Sequence, residues 1–343
     1  VNVGPVRIGS RGPVVIQSMT KVPTVDVDRC VKQIKQLAHA GCGLVRLAVP
    51  RRADTAAFAQ IVQKVDVPLI ADVHFSADRA VEAIEAGAAK IRLNPGNIKN
   101  RKDILRIIDA AKTHKTAIRV GVNEASIRDL RKEPVPAEKR TALMLREMKS
   151  YVRLFKGRNF NSLVLSAKSS NVARTIEINR AISETFDYPV HLGLTHAGLP
   201  EDARMPSAIA LGTLLAEGIG DTIRVSAAGD PVEEAEIARQ ILTALGLHER
   251  SSPELIVCPT CARTEIDVVK LARRVEKAIR KINKPLRIAV MGCVVNGPGE
   301  AADADLAICA AKNKAYIYRN GRRISIVPEK EIIPAILEEL QRM

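Results

Sequence analysis

Three thiols and a carboxylate stand close together in the last third of the chain. Cys258-Pro259-Thr260-Cys261 is a C-x-x-C pair, and Cys293 follows in Gly292-Cys293-Val294-Val295-Asn296-Gly297-Pro298-Gly299-Glu300. Sulfurs at that spacing reach one metal or cluster from a single turn. Asn296-Gly297-Pro298-Gly299 predicts a tight turn poor in side chains, so that backbone N–H groups approach a sulfur and Glu300 swings back towards Cys293. Three soft ligands and one hard, exchangeable ligand describe a metal centre with an open coordination position. Structural zinc takes four closed ligands, usually as two C-x-x-C pairs, and a second pair is absent from the sequence. Cys309 lies in the apolar run 306–311 and reads as a core cysteine on a buried strand. The residues therefore favour a [4Fe–4S] cluster on Cys258, Cys261 and Cys293, with its fourth iron left to Glu300 or a substrate. Structural zinc is the alternative.

A second set of charged residues needs a scaffold to bring it together. From residue 14 to about residue 245 short β-branched runs alternate with amphipathic segments. Strands are expected at 14–19, 44–49, 67–73, 90–93, 117–122, 162–166, 190–194 and 222–225. Helices are expected at 27–40, 53–64, 77–86, 101–114, 138–156, 171–186, 204–217 and 232–245, with caps at Asp54, Ser76 and Ser170. Gly41, Gly87, Gly218 and Gly246 mark helix ends. Eight such units are the count and length of a TIM (β/α)8 barrel. A Gly-rich nucleotide fingerprint is absent.

A barrel places its active site at the C-terminal ends of its strands. There the sequence puts Arg46, Asp72 with His74, Arg92 with Asn94, Arg119 with Asn123, Lys168, and Arg224 with Ser226. Four arginines at equivalent places in four strands are hard to explain as surface residues. Charges pointing into a barrel are costly unless paired, and Asp72 alone cannot neutralise five cations. The pocket is expected to take a highly charged anion, and planar guanidinium forks suit phosphate, so a diphosphate is the expected ligand. Each charge-assisted contact contributes roughly 1.5–3 kcal/mol.

The 343 residues suffice for two domains, a barrel at 1–247 and a small α/β iron–sulfur domain at 254–343. In the second, a helix is expected at 266–282, strands at 286–291 and 306–309, a hairpin through Asn320-Gly321, and a last helix at 329–341. The net charge of +15 raises the question of nucleic acid, but aromatics are 3% of the chain and Trp is absent, so stacking platforms are scarce. Acidic small molecules and protein donors remain as partners. No run of apolar residues is long enough for a membrane span. The start at Val1 implies that an initiator Met precedes it, and residues 1–4 carry no signal peptide pattern. Six cysteines without pairwise spacing suit a reducing cytoplasm, with Cys30 and Cys42 as packing residues.

Four stretches carry a resemblance over nearly the whole chain. Val15-Ile16-Gln17-Ser18-Met19-Thr20, Ile91-Arg92-Leu93-Asn94-Pro95-Gly96-Asn97, Glu217-Gly218-Ile219-Gly220-Asp221-Thr222 and Met291 to Glu300 resemble the 4-hydroxy-3-methylbut-2-enyl diphosphate synthase family in its two-domain bacterial form. The resemblance implies two-electron reductive ring opening of 2-C-methyl-D-erythritol 2,4-cyclodiphosphate, with loss of water, in isoprenoid biosynthesis. It implies a [4Fe–4S] cluster on Cys258, Cys261, Cys293 and Glu300, with Glu300 given up to a substrate oxygen. Electrons would come from a ferredoxin or flavodoxin, acidic carriers that suit the basic chain. The family usually reads Thr-Glu-Ala-Gly after the seventh strand, its Glu a candidate acid/base. Here the run is Thr195-His196-Ala197-Gly198, so His196 is the expected proton donor, with Glu201 or Asp202 as substitutes. The competing class is another phosphate-binding TIM-barrel transferase, of pterin or phosphosugar type, with a structural zinc site.

Chain geometry adds an expectation about assembly. A last barrel helix of about fifteen residues descends some 22 Å to the barrel's bottom. A linker of about nine residues reaches roughly 30 Å when fully extended. A two-fold homodimer, in which each cluster domain covers the other subunit's barrel mouth, is the simpler arrangement and the one the resemblance implies.

Overall fold

The computed structural model describes every residue except 10–11, 95–96, 99, 128–134 and 196–197, and the side chain of Ser126. The chain divides into two units, Val1–His248 and Glu249–Met343.

The first unit opens with a hairpin of β1 (Asn2–Val3) and β2 (Val6–Arg7), which the sequence reading did not include. Eight parallel strands follow: β3 (Val15–Met19), β4 (Leu44–Ala48), β5 (Leu69–Asp72), β6 (Lys90–Leu93), β7 (Ala117–Asn123), β8 (Leu163–Lys168), β9 (His191–Leu192) and β10 (Thr222–Ile223). Their order is β8-β7-β6-β5-β4-β3-β10-β9, and the bridge Leu165–Val190 joins the two ends. The sheet is a TIM barrel. The expected strands all form, but β9 and β10 are two-residue pieces, because the chain leaves regular pairing early at the mouth.

Eight helices surround the sheet: α1 (Val27–His39), α2 (Arg52–Val62), α3 (Ala77–Glu85), α4 (Arg101–Thr113), α5 (Ala137–Lys156), α6 (Val172–Thr185), α7 (Pro200–Ala216) and α8 (Pro231–Ala244). Each buries an apolar stripe, such as Cys30, Ile34 and Leu37 on α1 or Ile104, Ile107, Ile108 and Ala111 on α4. Each large aliphatic side chain so buried contributes about 1.5–3 kcal/mol.

Two expected caps are displaced. Arg51 holds the cap position of α2, and Asp54, inside the first turn, accepts the Arg51 backbone N–H at 3.1 Å. Asn171, not Ser170, caps α6 by accepting the Arg174 N–H at 2.8 Å. Ser76 caps α3 as expected. Helix α7 begins four residues before its expected start, since Pro200 fits the first helical turn, where its missing N–H costs nothing. The β1–β2 hairpin closes the floor: Val3 and Ile8 pack with Val15, Leu44, Ile70 and Ala117 at the strands' N-terminal ends.

The second unit is a five-stranded sheet of β11 (Glu254–Val257), β12 (Arg287–Met291), β13 (Leu306–Ala311), β14 (Lys314–Arg319) and β15 (Arg322–Pro328), in that order. The first three are parallel and the last two antiparallel. Helices α9 (Val268–Ile279) and α11 (Ile332–Arg342) contribute to one apolar core, where Val275 and Ile336 meet Ile288 and Ile308. Cys309 belongs to a second core with Ala289, Met291 and Ala307. The reading missed β11, a short half-buried strand whose residues do not alternate. It also took residues 296–299 for a bare turn, where a short helix α10 (Gly297–Glu300) forms.

Candidate functional site

Register explains how the barrel assembles its charges. Asp72, Arg92 and Arg119 occupy one row across β5, β6 and β7, and Asn123 pairs with Lys168 across β7 and β8. Arg46, Arg92, Arg119, Lys168 and Arg224 all line one cavity of about 180 Å³, together with Asn123, Ser166, Thr195 and Ser226. Asp72 and His74 stand behind this lining: Arg46 Nε lies 3.6 Å and Arg92 Nη1 3.4 Å from the Asp72 carboxylate, and His74 Nε2 lies 3.4 Å from it. Burial alone would raise the Asp72 carboxyl, but Arg46, His74 and Arg92 hold it well below the usual carboxylate range. Asn94 is buried at the end of β6 but does not line the cavity. His196 lies outside the described residues.

The expectation that Asp72 stands alone against five cations is corrected by Glu234. This carboxylate, on the first turn of α8, is 1% exposed. It accepts hydrogen bonds from Ser18 Oγ at 2.9 Å, Arg224 Nε at 3.1 Å and the Ala227 N–H at 3.2 Å, and pairs with Lys21 at 3.2 Å. Its signal in the sequence was a glutamate on the same helical stripe as Ile237, Ala238 and Ile241. Glu124 was also missed; it pairs with Arg140 and Arg174 at 2.8 Å each, beside Asn123.

Lys168 has the most exacting neighbourhood. Its Nζ packs over Gly193 so closely that a Cβ there would lie 2.6 Å from it and 2.8 Å from the Arg224 carbonyl oxygen. Burial, then Arg119, Arg224, Arg46 and Arg92, press its ammonium well below the ordinary lysine range. Burial lowers Arg46 to about 10, with Asp72 acting in the opposite sense. The cavity therefore concentrates positive charge under low solvent access, where an anion gains most from it.

In the second unit the thiols leave neighbouring strands at the same edge. Cys258 follows β11 and Cys293 follows β12, strands paired through Val257–Val290. Cys258, Cys261, Cys293 and Glu300 line one cavity of about 90 Å³. Thr260, between the first two cysteines, has a φ of 64°, a strained value for a β-branched residue that lets the C-x-x-C segment curl. Gly292 donates its N–H to Cys258 Sγ at 3.2 Å, and a Cβ on Gly292 would lie 2.5 Å from Val268. The backbone N–H groups of Asn296 and Val295, with Gly297, lower the Cys293 thiol. Cys309, by contrast, is buried and its thiol is pushed up to about 12. Among the described residues, no three His, Cys, Asp or Glu side chains converge on one point as ligands of a single ion. The donor set, three sulfurs with N–H groups at two of them and a carboxylate, fits a thiolate-held metal group.

The GcpE TIM-barrel domain matches residues 1–239, and the GcpE protein C-terminal domain matches residues 254–342. The chain belongs to the GcpE family. It is 44% identical over 343 residues to a protein of Caldanaerobacter subterraneus subsp. tengcongensis, covering 100% of this chain and 96% of that one. It is 45% identical to one of Nitratidesulfovibrio vulgaris, covering 99% and 88%, and 40% identical to one of Dehalococcoides mccartyi, covering 99% and 97%. All three are named 4-hydroxy-3-methylbut-2-en-1-yl diphosphate synthase (flavodoxin). Among solved structures, dihydropteroate synthase from Stenotrophomonas maltophilia gives a TM-score of 0.51 at 15% identity, covering 68% of this chain and 93% of that one. N-acetylneuraminic acid synthetase from Leptospira borgpetersenii gives 0.51 at 12%, covering 82% and 97%. At such identities the GcpE chain shares only their fold. No helix among its described residues is long and apolar enough to cross a membrane.

Proposed function

We propose that this protein catalyses the two-electron reductive ring opening of 2-C-methyl-D-erythritol 2,4-cyclodiphosphate to 4-hydroxy-3-methylbut-2-enyl diphosphate. The observation that carries the reading is the convergence of Arg46, Arg92, Arg119, Lys168 and Arg224 on one cavity, in a chain of this family. Guanidinium forks from β4, β6, β7 and the residue after β10 grip the two phosphates and fix the ring against the barrel mouth. Asn123 and Ser226 offer neutral hydrogen bonds at its rim. Asp72 and Glu234 hold the arginines in place and take no part in the bond cleavage. A [4Fe–4S] cluster bound to Cys258, Cys261, Cys293 and Glu300 would supply single electrons. His196 is the proton donor that completes the departing water.

Electrons come from a flavodoxin or ferredoxin, and the working molecule is a cytoplasmic homodimer whose active site is shared between subunits. This last reading rests on the linker length and the family resemblance. Mixing inactive Arg92→Ala chains with inactive Cys293→Ser chains should restore activity. No recovery after confirmed subunit exchange would return each cluster unit to its own barrel.

Anaerobic reconstitution followed by assay of cyclodiphosphate reduction tests the whole reading. A colourless zinc-containing protein without that activity would point to the transferase class instead. His196→Gln should lower turnover far more than binding; a fully active variant moves the proton to Glu201, Asp202 or solvent.

A further inference from the structure

Beside the cavity-lining Arg119 and Ser166, the barrel interior holds Gln17, Lys90 and His191, to which the proposed function gives no task. Gln17 on β3, Lys90 on β6, Ser166 on β8 and His191 on β9 are each at most 2% exposed, and Arg119 on β7 is 3% exposed. Both amide atoms of Gln17, Lys90 Nζ, Arg119 Nε and Nη1, Ser166 Oγ and His191 Nε2 have no protein partner among the described residues. Buried polar atoms left unpaired are rare and costly, so Gln17, Lys90 and His191, which do not line the cavity, mark a built feature.

Gln17, Lys90 and His191 form a tier with a roof and a floor. Arg119 and Ser166 line the anion cavity above. Lys90 shares its register row with Ile70 and Ala117, which belong to the apolar plug that the β1–β2 hairpin makes below.

No described carboxylate pairs with Lys90 or His191. The nearby Asp72 is held by Arg46 and Arg92, and Glu234 by Arg224 and Lys21. Burial, then Arg119 and Arg46, disfavours charge on Lys90. Burial, then Arg119, Lys168, Lys90 and Arg46, does the same for His191, whose Nδ1 lies 2.8 Å from Thr222 Oγ1. An anion in the cavity leaves that burial in place but offsets the arginine charges that add to it, and so eases proton binding at both groups.

We propose that Lys90 and His191 form a proton-accepting tier beneath the anion cavity, so that a diphosphate binds together with protons drawn from solvent. The inference rests on the diphosphate reading of the cavity and adds to it. It also gives the ring opening a charge balance. A cyclic diphosphate esterified at both ends carries one ionised oxygen on each phosphorus. When its C–O bond breaks, two electrons from the donor make good the pair that stays on the phosphate oxygen, and the ligand gains one negative charge. A proton on Lys90 or His191 offsets that charge without moving the arginines.

The test is calorimetry of inorganic pyrophosphate binding to the cluster-loaded protein, in buffers of different ionisation heat. The parent should take up about one proton more than Lys90→Met or His191→Gln does. Protons that the arginines expel from the pyrophosphate itself are common to all three proteins and leave this difference intact. In the parent, the His191 imidazole, assigned by its loss in His191→Gln, should change from neutral to protonated in its ¹⁵N spectrum when pyrophosphate binds. If pyrophosphate binds with equal proton counts in all three proteins and the His191 signal stays neutral, the tier is not a proton acceptor and the anion cavity stands. If pyrophosphate does not bind the parent, the cavity reading itself fails and takes this inference with it.

Discussion

At the scale of single residues, the buried place of Cys309 and the gathering of Cys258, Cys261 and Cys293 around one cavity were legible before any fold was known. C-x-x-C spacing and a Gly-rich neighbour set three thiols apart, and an apolar run set Cys309 among core residues. The structure gives the physical difference: N–H groups lower the Cys293 thiol, while burial raises Cys309. Replacing Cys258, Cys261 or Cys293 by Ser should therefore remove bound iron and visible absorption. Cys309→Ser should leave both near the parent level, and iron analysis of the four proteins decides it. Glu234 showed itself only as a glutamate on an apolar helical stripe; its pairing with Arg224, ten residues earlier, was not legible, because only the barrel's closure brings α8 against β3 and β10. Glu234→Gln leaves the half-buried Arg224 against a neutral amide, and urea unfolding should show a loss of roughly 2–4 kcal/mol, less than for a fully buried pair. A change under 1 kcal/mol would mean that solvent already shares Arg224.

Among the elements, the sequence foretold eight strands and eight helices well, since alternation between β-branched runs and amphipathic stripes is a local property. What it could not foretell depended on packing: the β1–β2 floor, the early start of α7, and the strand β11 that sets Cys258 beside Cys293. Gly193, just beyond β9, shows how a backbone position serves a distant side chain. Its missing Cβ makes the room in which the Lys168 Nζ rests. Gly193→Ala should shift both the Lys168 Nζ and the Arg224 backbone, since the new Cβ would also lie 2.8 Å from the Arg224 carbonyl oxygen. It should lower stability in urea unfolding and weaken pyrophosphate binding by about 1.5–3 kcal/mol, the value of one charge-assisted contact. Unchanged affinity in a titration would show that Lys168 is not needed where it stands.

For the whole molecule, the net charge of +15 is more than the barrel interior accounts for. Much of it lies on helix surfaces, such as Lys270, Arg273, Arg274 and Lys277 on α9. An acidic electron carrier meeting that surface gains from steering at long range, and salt screens it with a Debye length of about 10 Å at 0.1 M. Turnover at limiting flavodoxin should fall as salt rises from about 0.05 to 0.5 M, whereas turnover with a small uncharged reductant should hold. Equal salt responses would place the effect in the substrate cavity.

The barrel also has a seam. Strands β7 and β8 run for seven and six residues, but β9 and β10 for two each, and among the described residues the isolated bridge Leu165–Val190 closes the circle. Opening of a wall follows its weakest ladder. Amide protons at 190–194 and 222–225 should thus exchange with deuterium sooner than those of β7, a contrast that mass spectrometry resolves by peptide. Lys168 and Arg224 face the cavity from opposite sides of this weak arc. A bound diphosphate would tie them together, so the arc's exchange should slow when the cavity fills, and the ligand becomes the missing rung of its own container.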